Sequence, residues 1–100
     1  MTKHKPPYYA VIFTTILSDK QEGYIEMAKK MEELAQKQTG FLGMDSARDD
    51  IGITISYWES LAAIDLWRKN ALHREAKALG KSKWYSSFDL KICKILNKSH

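Results

Sequence analysis

The sequence predicts an α+β domain whose elements follow the order β-α-β-β-α-β around one four-stranded antiparallel sheet. Four runs are rich in β-branched and aromatic residues, which are typical of strands. Two segments with apolar residues at spacings of three and four, typical of amphipathic helices, lie between the first and second runs and between the third and fourth. A length of 100 residues suits one domain, which we place at residues 8–96.

The first strand is predicted at residues 8–17, where both alternating faces are apolar, so it belongs in the middle of a sheet. Residues 1–7 are polar, end in Pro6-Pro7 and are expected to form a flexible leader. Ser18 is expected to cap the first helix, with Gln21 completing a capping box. This helix should run for about five turns and end at Gly40 in a left-handed conformation.

The second and third strands are predicted at 41–48 and 51–58, joined by a short hairpin at Asp49-Asp50. The isoleucine face of the third strand should be buried, whereas its threonine and serine face is small and polar. Asp45 is expected to pair with Arg48 or with a lysine of a partner copy.

A second helical region begins after Ser60, its predicted N-cap, and is expected to end at Gly80. Its two apolar stripes are offset, so we predict a bend or break near Asn70. The last strand is predicted at 85–96, followed by a C-terminal tail at 97–100.

This element order is the ferredoxin-like arrangement, in which right-handed crossovers place both helices on one face of the sheet. The first strand is nevertheless apolar on both sides, so the other face would be a bare apolar surface. Such a surface is a liability on a monomer. We therefore expect a homodimer in which two copies pack these faces together.

Charge and composition argue against several functional classes. The net charge is only +4, and the 16 lysines and arginines are scattered, which predicts no nucleic-acid partner. The N-terminus has no secretory signal and no stretch is long enough to span a membrane, so we expect a cytoplasmic protein without a membrane partner. One cysteine, Cys93, and three histidines show no metal-ligand spacing, so no metal site is predicted.

The segment from Ser56 to Phe88 contains SYWES, IDLWRKNALHREA and WYSSF, and it resembles the antibiotic biosynthesis monooxygenase family. The TGFLG turn and the element order extend this resemblance over nearly the whole chain. The family consists of small proteins with a dimeric α+β barrel. Members that oxidise aromatic polyketides need neither metal nor flavin, because the deprotonated substrate itself reduces dioxygen. The resemblance therefore implies a cofactor-independent monooxygenase acting on a small phenolic or quinol-like aromatic compound.

The resemblance also implies two catalytic residues. Such family members carry a tryptophan on the second helix and a hydrogen-bonding side chain six residues later, and Trp67 and His73 match this spacing. An imidazole titrates near neutral pH, so His73 is a suitable base for a phenolic proton, while Trp67 would stack on the aromatic ring. Each residue also has a plain structural interpretation, Trp67 as a core residue and His73 as an exposed helix histidine.

Four further residues are candidates for binding the substrate. Trp58 ends a strand, and Trp84 and Tyr85 lie where the last strand begins; these aromatics alternatively close the ends of the core or the dimer interface. Asn70, at the predicted break, could donate a hydrogen bond to a ligand or cap the second helical piece.

Two alternative functions remain open. The asparagine that the oxidising members carry one helical turn before the tryptophan is Ala63 here, which favours a non-catalytic protein that binds a small molecule. Haem binding or degradation is less favoured. The first strand lacks the asparagine of the haem-degrading branch, and Lys77 stands ten residues after Trp67, beyond His73, where that branch has a histidine.

Overall fold

A computed structural model of the chain describes residues 4–97. The outermost parts of the predicted leader and tail, residues 1–3 and 98–100, lie outside the described residues. The elements are β1 (Tyr8–Leu17), α1 (Tyr24–Ala35), β2 (Phe41–Arg48), β3 (Gly52–Trp58), α2 (Leu61–Lys69), α3 (Ala71–Leu79), a π-helical turn (Gly80–Trp84) and β4 (Tyr85–Ile95).

The four strands form one antiparallel sheet in the order β2-β3-β1-β4, which confirms the predicted ferredoxin-like α+β fold. As the doubly apolar pattern predicts, β1 lies inside the sheet, between β3 and β4. Val11 pairs with Ser56 on one side and with Ile92 on the other, so all three side chains point to the same face.

The first helix is shorter than predicted. It has 12 residues and follows Gly23, which adopts φ 83° and supplies no side-chain cap. The Ser18 hydroxyl instead donates to the carbonyl of Lys83 at 2.6 Å and accepts the N–H of Lys20. Ser18 is therefore held by a partner 65 residues away in the sequence, which is why the local capping pattern was misleading.

The predicted break in the second helical region is confirmed at Asn70, which has φ −60° and ψ 130°. Ser60 caps α2 as expected, accepting the N–H of Ala63 at 3.1 Å. The region ends at Gly80 as predicted: α3 stops at Leu79, and Gly80 is its C-cap. The φ of Gly80 is −58°, which is right-handed, and the chain continues into the π-helical turn. Glycine is needed there because a Cβ would lie 2.4 Å from the ring of Tyr85.

The buried core lies between the helices and one face of the sheet, and its members come from α1, β3 and α2: Ala35, Trp58, Ala63, Ile64 and Trp67. On the opposite face the isoleucines predicted to be buried are exposed in the single chain, Ile53 by 42% and Ile16 by 43%. On the face that carries the helices, Phe88, Leu90 and Ile92 of β4 are also exposed; Ile92 pairs with Val11, which packs against the core. Within residues 4–97, no helix is long and apolar enough to cross a bilayer.

Candidate functional site

Three aromatic side chains form a stack at the end of α2. The indole of Trp67 stacks with that of Trp58, with centroids 6.0 Å apart and planes inclined by 27°, and with the imidazole of His73, at 4.3 Å and 14°. Trp58 is completely buried and Trp67 is 7% exposed. Trp58 is fixed further because its indole N–H donates to the Ser56 hydroxyl at 2.9 Å. The structure thus brings both predicted catalytic residues and Trp58 together.

The hydrogen bond of His73 determines which of its nitrogens carries the proton. Nδ1 lies 3.0 Å from the carbonyl oxygen of Trp67. A carbonyl only accepts hydrogen bonds, so Nδ1 must be the protonated nitrogen of the neutral ring. No described residue in the range 4–97 hydrogen-bonds to Nε2, which therefore keeps a lone pair able to accept a proton.

The surroundings of His73 favour its neutral form. Burial lowers the pKa of the imidazole, and the positive charges of Lys77 and Arg68 lower it further. The hydrogen bond to Trp67 opposes this effect but does not outweigh it. At neutral pH the ring is consequently a base that can take up a proton, as a proton acceptor in catalysis requires.

Asn70 acts on the site through the backbone. Its side-chain Oδ1 accepts the N–H groups of Leu72 at 3.0 Å and of His73 at 3.2 Å, which confirms its alternative role as a cap. Its own N–H donates to the Trp67 carbonyl at 3.1 Å, the acceptor that His73 also uses. Asn70 thereby fixes the start of α3 and the position of His73 relative to Trp67.

Trp84 and Tyr85 belong to a second aromatic cluster at the other end of the helices. The ring of Tyr24 meets that of Trp84 at 5.7 Å and that of Tyr85 at 6.1 Å, both edge to face. Phe13 lies 5.5 Å from Tyr85, and the indole N–H of Trp84 donates to the carbonyl of Glu22 at 2.8 Å. The predicted binding residues therefore lie in two clusters: Trp58 stacks with Trp67, whereas Trp84 and Tyr85 pack around Tyr24.

Arg48 borders this second cluster, although sequence reasoning did not select it for the site. Its guanidinium donates to the Thr15 hydroxyl and lies 5.8 Å from the ring centre of Tyr24. Burial raises the pKa of the Tyr85 hydroxyl to about 12, with Tyr24 raising it further and Arg48 opposing the shift, so Tyr85 stays protonated. The alternation of β2 could have shown that Arg48 and Asp45 point to opposite faces of the sheet, because residues three apart in a strand do so.

The same alternation explains why the expected Asp45–Arg48 pair is wrong. Asp45 accepts a hydrogen bond from the Tyr57 hydroxyl at 2.8 Å, on the face without helices. Burial and this bond together raise the pKa of Tyr57 to about 12. Tyr57 therefore remains a donor to Asp45 over the physiological range.

Two open grooves accompany these clusters. One of about 500 Å³ lies between the start of α1 and the π-helical turn, and its lining includes Glu22, Glu26, Met27, Leu79 and Trp84. The other, of about 290 Å³, lies at the elbow between α2 and α3 and is lined by charged residues. Among residues 4–97, no three histidine, cysteine or acidic side chains are grouped to hold a metal ion.

Comparison with known proteins shows what the chain resembles. A family model described as antibiotic biosynthesis monooxygenase matches residues 7–79. The uncharacterized protein YqjZ of Bacillus subtilis is 47% identical over 93 residues, which cover 91% of this chain and 82% of that protein.

Solved structures show the same fold at low identity. Rv0793 from Mycobacterium tuberculosis has a TM-score of 0.81 at 13% identity, covering 93% of this chain and 99% of its own. A structure titled antibiotic biosynthesis monooxygenase has a TM-score of 0.75 at 13% identity, covering 88% and 98% of the two chains. Family and fold thus agree over most of the sequence.

Proposed function

Because the chain belongs to the antibiotic biosynthesis monooxygenase family, we propose that it is a cofactor-independent monooxygenase of a small phenolic or quinol-like aromatic compound, with dioxygen as its second substrate. Membership by itself supports a monooxygenase-like or small-molecule-binding role. The finer proposal rests on one observation, the neutral imidazole of His73, whose Nε2 has no hydrogen-bond partner among the described residues.

The proposed reaction begins when Nε2 of His73 takes the proton of a phenol. The resulting phenolate is electron-rich and transfers electrons to dioxygen. One oxygen atom then forms a C=O bond at the ring carbon para to the hydroxyl, which loses its hydrogen. The O–O bond breaks, and the other oxygen leaves as water with the proton that Nε2 of His73 returns and the hydrogen lost from the para carbon. Phenol and dioxygen thus give quinone and water without an external reductant. The protein has to supply a base and a site that shields the intermediate.

Trp67 is a positioning residue in this proposal. Its indole stacks on His73 and its carbonyl holds Nδ1–H, so both parts of Trp67 orient the imidazole. Direct stacking of Trp67 on the substrate stays a prediction, as do substrate contacts of Trp58, Asn70, Trp84 and Tyr85. Asn70 supports the same ring through the backbone.

We also infer a homodimer. The sheet face without helices carries Ile16 and Ile53, each more than two-fifths exposed, beside the Tyr57–Asp45 pair. A second copy of the same face would bury these side chains by a twofold interface, which is the commonest symmetry of soluble oligomers. The cytoplasmic location and the absence of nucleic-acid and membrane partners stay predictions.

Oxygen consumption with hydroquinones and hydroxyanthracenes tests the oxygenase. The wild-type protein should exceed the uncatalysed rate, and His73→Ala should lose about 10²–10⁴-fold of the excess because general-base catalysis contributes that much. His4→Ala is the matched control, since His4 is exposed in the N-terminal segment. Equal rates for wild type and His73→Ala would contradict the assigned role.

The alternative is a member that binds a small molecule without oxidising it. Ala63, where the oxidising members have an asparagine, is buried, and it lies so close to Gly40 that a Cβ added to Gly40 would be 2.6 Å from the Ala63 Cβ. Ligand-induced thermal stabilisation without oxygen uptake would favour this alternative. A haemin titration would separate it from haem binding by a Soret shift.

A further inference from the structure

The groove at the α2–α3 elbow concentrates positive charge. It has a volume of about 290 Å³ and is lined by Asp65, Arg68, Lys69, Arg74 and Lys77. Four cations and one carboxylate give it three formal positive charges, whereas the whole chain carries only +4. The lysines and arginines look scattered in the sequence, but the bend at Asn70 brings these four to one place.

Helix stabilisation accounts for three of these four cations but not for the fourth. Arg68 and Lys69 lie in the last turn of α2 and Lys77 in the last turn of α3, where the helix dipole favours cations. Arg74, however, is the fourth residue of α3 and lies near its N-terminus, where the helix dipole disfavours a cation. No acidic residue occurs in the first turn of α3 to offset it.

The cations are also largely uncompensated. Of the four groove cations, only Lys69 has an ion-pair partner among residues 4–97, namely Asp65 at 3.6 Å. Burial lowers the pKa of Lys77, and the charges of Arg68, Lys81 and Arg74 lower it further, which reflects the crowding of like charges. A bound anion would relieve this repulsion, and two arginines offer the planar donor arrangement that suits a carboxylate or phosphate.

The groove lies close to the proposed base. Lys77, which lines it, follows His73 by one helical turn on the same face of α3, and the charges of Lys77 and Arg68 act on the imidazole. An anionic group held by Arg68, Arg74 and Lys77 would therefore lie about one helical turn from His73, a distance that the rest of an aromatic molecule can span.

We propose that this groove binds a carboxylate or phosphate group of the small molecule whose aromatic part reaches His73. The inference rests on the proposed function and refines its substrate class from neutral phenols to aromatic compounds that carry an acidic group.

Binding of phenyl phosphate at constant ionic strength, measured by calorimetry, tests the groove. Wild type should bind saturably, and Arg74→Gln/Lys77→Gln should raise the Kd about tenfold or more because charge-assisted hydrogen bonds are lost. Lys29→Gln/Lys37→Gln is the matched control. It removes the same charge from exposed positions outside the groove, and its Kd should stay within about twofold of wild type, as expected for screened distant charges. Arg68→Gln provides a second groove variant if the double variant fails to fold.

Several outcomes would overturn the inference. They are an equal loss of affinity in the control variant, no binding of phenyl phosphate or inorganic phosphate, or much tighter binding of a single-stranded oligonucleotide or of phosphatidylglycerol vesicles. Oxygen uptake that is equally fast with neutral and acidic phenols would also overturn it, while leaving the oxygenase intact. Groove-dependent binding of phenyl phosphate without oxygen uptake from any phenol would support the inference and overturn the oxygenase instead.

Discussion

At the scale of single residues, the most informative group is His73. The Trp67 carbonyl sets its tautomer, the Trp67 indole covers one face of the ring, and burial lowers its pKa. None of these effects depends on a metal or on a carboxylate partner. In this neutral ring Nδ1 is the hydrogen-bond donor and Nε2 the acceptor, so a proton from a substrate would be taken up at Nε2.

The pKa of His73 has a measurable consequence for stability. In the unfolded chain the imidazole titrates at its usual value of 6.5, and folding lowers this pKa. Between the two values the unfolded state binds more protons, so the free energy of unfolding falls as the pH drops through this window and is regained above 6.5.

Urea unfolding of wild type and His73→Gln at pH 7.5 and pH 5.5 tests this linkage. Wild type should lose more stability between the two pH values than His73→Gln, whereas His4→Gln should behave like wild type. A proton NMR titration that gives His73 a pKa at or above 6.5 would contradict the burial argument.

At the scale of elements, the α2–α3 elbow organises both parts of the candidate site. The backbone of Asn70 is extended, with ψ 130°, and this ends α2, whereas the Asn70 side chain caps α3. The elbow lets the His73 ring return to stack on Trp67, six residues earlier. It also assembles the cationic groove from the end of one helix and the face of the next.

Removal of this cap should weaken α3 and loosen His73. Asn70→Ala leaves the N–H groups of Leu72 and His73 without the Oδ1 acceptor, which should cost about 1 kcal/mol of unfolding free energy. Asn70→Asp keeps an acceptor and should stay close to wild type. Denaturant unfolding measures both, and an Asn70→Ala protein as stable as Asn70→Asp would show that the cap contributes nothing.

At the scale of the whole molecule, one chain covers only one face of its sheet. The helices bury Trp58 and Trp67 on that face, whereas Ile16 and Ile53 remain exposed on the other. An apolar sheet face of this kind on a small protein is a surface for association. The helices do not cover their own face completely, because Phe88, Leu90 and Ile92 of the edge strand β4 are exposed there.

The dimer is tested by placing a charge on the bare face. Ile53→Lys would bury an unpaired cation in the inferred interface, so sedimentation should shift from the mass of two chains to that of one. Leu66→Lys is the control, because Leu66 is 64% exposed on α2 and lies outside that face. A wild-type protein that sediments as one chain at micromolar concentration would remove the dimer from the proposal.

Local signals predicted much of this architecture. The Asp49-Asp50 hairpin, the Ser60 cap and the break at Asn70 each depend on residues close together in the sequence, and all three are confirmed. The capping pattern at Ser18 is equally local but failed, because a carbonyl from the far end of the chain offered its hydroxyl another acceptor.

The sequence by itself determined the order of the elements, the central place of β1 and the break near Asn70, which follow from side-chain periodicity and short-range capping. The match of Trp67 and His73 to a known spacing came from the resemblance to the family. Only the tertiary structure decided that His73 stacks on Trp67, that Trp84 and Tyr85 lie in another cluster and that four dispersed cations share one groove. Those arrangements depend on the direction in which the chain turns at the break and on which distant segments meet, and residue periodicity carries no information about either.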